Sequence, residues 1–473
     1  MTKLVSKITD RDVDFAKWYT DVVREADLVA YSSVKGSMII RPYGYAIWEN
    51  IQRILDAEFK KTGHENVQMP MFIPESLLNV EKEHVKGFAP EVAWVTHGGN
   101  DKLEERMCVR PTSEVLFCEH YKNIIKSYRD LPKLYNQWCT IVRWEKTTRP
   151  FLRSREILWQ EGHTMHRTSE EAREETLRML KIYENFQRNV LALPVLVGRK
   201  TEKEKFAGAE ETYTLEAMMY DGVALQNGTS HYFGKHFAEA FGIRFLDEDN
   251  TLKVPYQTSW GVSTRMIGGI IMTHGDNHGL VLPPKIAPIK VVFIPISQDE
   301  EVLKVISQIT ENLPSDISYK IDQTDKSPGF KFAEAEVKGI PIRVEVGKRD
   351  LEKDEVTLVR RDTLEKESVK VADASHEILH LLEKIQQDMY DRALKRRDEM
   401  IFEGTDYEEM KKQMKEKTGF FKINWCGDVA CEEKIKDETG YKSRCIIEDE
   451  KPTGKCIVCG KEATVRIYIG KQY

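Results

Sequence analysis

Val142-Arg143-Trp144-Glu145, a basic loop, and then Phe151-Leu152-Arg153-Ser154-Arg155-Glu156 form the stretch on which the fold turns. Arg143 and Glu145 stand two apart, and on a strand that spacing points both side chains to one face of a sheet. A permanent cation beside a hydrogen-bond acceptor suits a nucleotide, the guanidinium for phosphate oxygens and Glu145 for an exocyclic amine. Two more segments carry arginine among small residues: Arg110-Pro111-Thr112-Ser113-Glu114 and Gly261-Val262-Ser263-Thr264-Arg265-Met266-Ile267-Gly268-Gly269. Arg265 is placed to open a helix, whose N-terminus also favours phosphate. A lone arginine on a strand is most often half of a surface ion pair, so these segments carry weight only together.

Outward from there, residues 105–290 alternate strand-like runs (211–219, 222–227, 258–273) with one helix, 169–191, whose first turn is acidic. Short turns between adjacent strands predict a large antiparallel sheet. Upstream, amphipathic spacing predicts helices over 13–30 and near 44–62, and prolines mark 66–74 as extended. Beyond Leu282-Pro283-Pro284-Lys285 the rhythm changes to strand 290–295, helix 299–312, strand 317–321, helix 329–338 and strand 341–346, a compact α/β unit. A helix over 373–399 leads to a cysteine-rich tail. The expected division is therefore an α+β domain over 1–284, an α/β domain over 285–400 and a small α+β domain over 401–473.

The 473 residues carry 71 Lys+Arg against 77 Asp+Glu, a net charge of −6 that excludes coating nucleic acid by bulk charge but allows local basic faces. No apolar run approaches the roughly twenty residues of a membrane span, and mean hydropathy is −0.49. The start of the chain lacks an apolar signal core, so a cytoplasmic enzyme without membrane contact is expected. Five of the eight cysteines fall after residue 425, and in a cytosolic chain such clustering reads as a metal site.

Taken together, these segments resemble the class II aminoacyl-tRNA synthetases, most closely the prolyl-tRNA synthetases of archaeal and eukaryotic type. Val67-Gln68-Met69-Pro70 is similar to the family's dimer-forming first motif, the Arg143/Glu145 segment to the second and 261–269 to the third. More specific runs are Phe88-Ala89-Pro90-Glu91-Val92-Ala93-Trp94-Val95-Thr96, Trp159-Gln160-Glu161-Gly162-His163, Lys203-Glu204-Lys205-Phe206-Ala207-Gly208 and His274-Gly275-Asp276-Asn277.

Proline offers an apolar ring, a secondary ammonium and a carboxylate, so its pocket needs flat apolar walls, an anion with a hydroxyl, and a cation. Thr112, Glu114, Arg143, Trp159, Glu161, His163, Phe206 and His231 supply those types at positions where the resemblance implies proline binding. For ATP it implies Arg143 on the α-phosphate, Glu145 at the adenine amine, Arg153 and Arg265 on the outer phosphates, and Ser154, Gln226, Thr229 and Ser263 alongside. Arg143 and Arg265 are then the catalytic cations, and Mg2+ bridges the phosphates. Ile157 departs from the family, which usually places a stacking phenylalanine there.

Cys426-x4-Cys431 and Cys456-x2-Cys459 are two close pairs separated by a loop, the pattern of a four-thiolate structural zinc site, with Cys445 left as a free thiol. The last residues, 468–473, resemble a family C-terminus whose final tyrosine reaches towards the active site. The α/β unit resembles the group's anticodon-binding domain, which would place Glu336, Arg343 and Asp350 near the anticodon.

The function expected is ATP-dependent attachment of proline to tRNA(Pro) in two steps. Residues 167–258 leave no room for an inserted editing domain. A relative using threonine is disfavoured because no His/Cys metal set marks the pocket. A catalytically silent RNA-binding paralogue is disfavoured because Arg143, Glu145 and Arg265 are all present.

The apolar, edge-like stretch 67–74 is expected to seat a homodimer. Sedimentation at micromolar concentration should show a particle of about twice the 54.8 kDa chain mass. A purely monomeric boundary would overturn this.

Overall fold

The computed structural model describes residues 7–80 and 92–473. The expected run Phe88-Ala89-Pro90-Glu91 therefore lies outside the described residues. Its centre is an antiparallel sheet in which Lys133–Val142, Glu156–His166, Tyr256–Ser263, Ala224–Gly234, Glu211–Met218 and Leu196–Arg199 are neighbours in that order. Alternation assigns each strand two faces. On Glu156–His166, Ile157, Trp159 and Glu161 face an open cleft. Gln160 points the other way and accepts a 2.5 Å hydrogen bond from Tyr183 of the helix Ser169–Asn189. Gly162 lies opposite Trp260, and a Cβ there would meet the indole at 2.1 Å.

The helix Ser169–Asn189 begins where Thr168 accepts from the Glu171 N–H, with Glu170 and Glu171 favouring its positive end. It buries Met179, Leu180, Tyr183 and Phe186 against the sheet together with Phe59 and Trp260, whose rings are 5.1 Å apart. A wholly buried His64–Glu175 contact of 2.7 Å closes one end of this layer.

Two expectations need correcting. The strand-like run 258–273 ends at Ser263, and Arg265–His274 is a helix. Met266, Ile267, Ile270 and Ile271 are all buried on it, so the apolar run marks a core helix, which periodicity alone does not separate from a buried strand. Arg143 and Glu145 are not on a strand, since pairing stops at Val142. The Glu145 N–H turns back onto the Arg143 carbonyl at 2.7 Å, a tight turn that breaks the two-residue alternation.

In the α/β unit, Val291–Pro295 pairs in parallel with Tyr319–Ile321 and Ile342–Val346. Glu355–Arg360 and Lys366–Lys370, absent from the expected pattern, add an antiparallel edge. Arg361 grips Asp276 with two bonds of 2.7 and 2.6 Å, joining this unit to the end of the helix Arg265–His274.

The tail is not detached at the level of the sheet. Its strands Lys442–Ile447, Val465–Gly470, Phe420–Trp425 and Ile401–Gly404 continue the central sheet through the pair Ile446 and Arg199, giving eleven strands with Glu65–Asn66 at the far edge. Beneath this junction Glu216, with no exposed side chain, meets Lys200 at 2.7 Å and Arg444 at 3.0 Å. Burial alone raises the Glu216 carboxyl, but the Arg444 and Lys200 charges outweigh it and lower it from 4.5 to about 2.

Glu216→Ala would strand two buried cations and should cost roughly 3–5 kcal/mol. Because the folded carboxyl lies below its ordinary value, this stabilisation is complete above pH 4.5 and fades as pH falls towards about 2. Thermal unfolding of wild type and variant between pH 7 and about pH 3 measures both effects. Equal midpoints at neutral pH would refute the assignment.

Candidate active site

The cleft-facing side of the sheet has two chemically different ends. At one end, the helix Glu114–Ile124 sets Glu114 at its first residue, and Thr112 donates to that carboxylate at 2.5 Å. Glu161 forms the floor. It accepts from the Ser113 hydroxyl at 2.5 Å, the Ser113 N–H at 3.2 Å and Gln137 at 2.6 Å, and sits 2.8 Å from His163 Nε2. Burial raises the Glu161 carboxyl, but the His163 contact and these donors hold it below its ordinary value. Phe206 and His231 meet with ring planes tilted by 41° and centroids 4.8 Å apart, and Trp159 supplies a second flat wall. Burial lowers His231 to about 3, so it is a neutral ring that bonds Thr212 at 2.9 Å.

At the other end, cations converge. Arg143 donates to the Pro111 carbonyl at 3.2 Å with its guanidinium 5.3 Å from the Trp159 ring. Arg265 donates to the carbonyls of Leu152 and Gln226, each at 3.3 Å. Burial, then the charges of Arg143 and Arg153, lower Arg265 from 12.5 to about 10. Like charges held together in a half-closed site make it a receptor for a polyanion.

The expected residues Thr112, Glu114, Arg143, Trp159, Glu161, Phe206, Gln226, Thr229, His231, Ser263 and Arg265 all line this one cleft, as does Ile157. Four others do not. His163 lies fully buried next to Glu161 on the same strand face, covered by Phe117 stacked at 4.3 Å, with Nε2 2.8 Å from Glu161. Ser154 faces a separate cavity with Glu156, Leu158 and Thr264, its hydroxyl donating to the Glu156 carbonyl at 2.5 Å. Glu145 and Arg153 are paired at 3.9 Å at the rim. Sequence reasoning missed Thr212, Asn227 and Ser259, which also line the cleft. Thr212 and Ser259 both lie opposite His231 in the register of neighbouring strands, a relation that only strand pairing reveals.

In the tail, the sulfurs of Cys426, Cys431, Cys456 and Cys459 lie within 4.8 Å of one another. Cys426 is 3.7 Å from both Cys431 and Cys459. Four thiolates around zinc at ~2.3 Å stand about 3.8 Å apart at tetrahedral corners, so this cage fits the ion. Cys445 is fully buried on a strand and outside the cage.

In the α/β unit, Arg343 is buried between Glu336 and Glu345, each at 3.0 Å, and Glu336 also contacts His278 at 3.2 Å. Glu336 is thus an inter-unit contact, while Asp350 stands apart on the short helix Lys348–Leu351. Tyr473 does not line the cleft, and its hydroxyl donates to Asp221 at 2.5 Å.

Comparison with known proteins agrees with this geometry. The family model "tRNA synthetase class II core domain (G, H, P, S and T)" matches residues 94–274, "Anticodon binding domain" matches 290–381 and "Prolyl-tRNA synthetase, C-terminal" matches 407–473. The chain is 59% identical to a proline–tRNA ligase 2 of Bacillus cereus over 99% of both chains. It is also 59% identical to a proline–tRNA ligase of Clostridium novyi, covering 100% of this chain and 99% of that one. A crystal structure of prolyl-tRNA synthetase from Cryptosporidium parvum, complexed with halofuginone and AMPPNP, superposes with a TM-score of 0.95 at 39% identity, covering 100% of this chain and 99% of that one. These curated relatives are bacterial, so the expected archaeal or eukaryotic type finds no support in them. With cleft, thiolate cage and full-length relatives in agreement, the chain belongs to the prolyl-tRNA synthetases, a family of class II aminoacyl-tRNA synthetases.

Proposed function

We propose that this chain is a proline–tRNA ligase that activates L-proline with ATP and then esterifies tRNA(Pro). The observation that carries the reading is the polarity of one cleft, with carboxylates and flat rings at one end and converging arginines at the other.

In the first step a proline carboxylate oxygen attacks the α-phosphorus of ATP, and the bond to the bridging oxygen breaks to release pyrophosphate. Glu114 and Thr112 hold the ammonium, Trp159, Phe206 and His231 wall the ring, and Arg143 holds the carboxylate against the α-phosphate. Arg265 and Arg153 take the outer phosphates, while Gln226, Thr229 and Ser263 bind the nucleoside and Glu145 accepts from the adenine amine. Magnesium brought by ATP offsets phosphate charge. Ile157 packs on the purine face with less overlap than an aromatic ring.

In the second step the tRNA 3′-hydroxyl attacks the carbonyl of the mixed anhydride and AMP leaves. Both steps develop charge on phosphate oxygens, and fixed cations in a half-closed site stabilise it without an enzyme nucleophile.

Residues 1–284 then form the catalytic unit, 285–400 meet the anticodon and 401–473 hold zinc through the four cysteines. Residues 167–258 are filled by the helix Ser169–Asn189 and sheet strands, so editing in cis is absent from this scheme. The protein works in the cytoplasm as a homodimer, with Met71 and Phe72 exposed within the proposed interface segment 67–74.

Proline-dependent exchange of pyrophosphate into ATP tests the reading. Only proline among the cognate amino acids should support full exchange. Arg143→Ala and Arg265→Ala should each lose about 3 kcal/mol or more of transition-state stabilisation, more than a hundredfold in rate. Near-wild-type exchange in both would sink the phosphate-clamp roles.

Elemental analysis should find about one zinc per chain. Cys456→Ser should lose the metal while Cys445→Ser keeps it, and a zinc-free wild type would remove the site.

A further inference from the structure

The 200–210 loop links the strands Leu196–Arg199 and Glu211–Met218 and brings Glu204 and Phe206 to the cleft. Its far end is tied within the catalytic sheet, where the Phe206 N–H donates to Thr212 at 3.0 Å. Its near end is tied to the tail. Thr201, 1% exposed, donates its hydroxyl to Glu432 Oε1 at 3.0 Å, and Ser443 donates to the same oxygen. The Thr201 carbonyl in turn accepts the N–H groups of Glu204 at 3.1 Å and Lys205 at 2.9 Å, closing the turn that aims Phe206. A second tie, Lys203 to Glu433 at 3.4 Å, lies at the surface and contributes little.

Glu432 directly follows Cys431 on the helix Val429–Thr439, so a metal bound at Cys431 fixes the backbone that carries Glu432. The carboxylate is 3% exposed, and a buried hydrogen bond to a charged acceptor is among the stronger kinds.

We propose that the tail is a brace for the amino-acid pocket, with Glu432 and Thr201 as positioning residues that carry the order of the thiolate cage to Phe206. The proposal rests on the reading of the cleft as a proline site. It assigns the four-cysteine cage a share in substrate affinity in addition to holding the tail together.

The test uses the full-length protein. Thr201→Val removes the hydroxyl at nearly constant volume, on the catalytic side of the contact. It should raise the KM for proline roughly tenfold while leaving the KM for ATP and the zinc content at wild-type values. Thr201→Ser should restore the proline KM. Trypsin cleavage after Lys203 and Lys205 should quicken both in Thr201→Val and in wild type treated with a zinc chelator. Chelation should add little further in the variant, because both act through one contact.

An unchanged proline KM, or equal rises for proline and ATP, would overturn the brace. So would slow cleavage of the chelated wild type. A wild-type protein without proline-dependent exchange would sink the pocket reading instead, and the cleavage pattern would still report whether the tail holds the loop.

Discussion

Strand register is the constraint on which the rest of this protein depends. Four adjacent antiparallel strands must keep their register for Glu161, Thr212, His231 and Ser259 to converge on one cleft. A one-residue shift of a strand turns its cleft-facing side chains into the helix layer. The buried opposite face guards against that shift. Gln160 is bonded to Tyr183, Trp260 fills the space left by Gly162, and Met179, Tyr183 and Phe186 close over both.

The electrostatics of the cleft follow from that register and work against stability. Glu161 is buried beside His163, and half-buried Arg265 stands near two further cations. Each has a cost in desolvation or repulsion that the fold sustains with satisfied hydrogen bonds elsewhere. The two ends respond differently. Glu161 is an ionised carboxylate whose oxygens are met by a ring of donors, whereas at the other end Arg143, Arg153 and Arg265 repel one another.

The junction of sheet and tail joins a small unit directly to the sheet that carries the cleft. A single strand pairing, Ile446 with Arg199, extends the sheet, and the Lys200–Glu216–Arg444 network pins it from beneath. The helix that carries Cys431 also carries Glu432, which is hydrogen-bonded to Thr201 in the loop that lines the cleft. The α/β unit is fastened by a different route, through Arg361 and Asp276 at the end of the helix that begins with Arg265. Both appended units therefore touch the backbone supports of the cleft.

Much of this was legible in residue order because it depends on local pattern. Helix 169–191 was readable from its acidic start and its apolar stripe, the α/β unit from its alternating rhythm, and the metal cage from the spacing of two cysteine pairs. The arginine segments and the pocket residues were readable because their chemistry is unusual and their motifs are contiguous. Other features were decided only in three dimensions. The helix Arg265–His274 is apolar on all sides, and its composition alone does not distinguish it from a buried strand. The turn at Glu145 removed it from the face it would share with Arg143, because one hydrogen bond outweighed a two-residue spacing. Thr212 and Ser259 enter the cleft by cross-strand register, whereas His163, paired with Ser259 on the same face, is kept from it by the Phe117 ring stacked over it. Glu432 reaches Thr201 across 231 positions of chain. Sequence carries the chemistry and local geometry of each segment, whereas contacts between segments distant in the chain are set by how their buried faces pack.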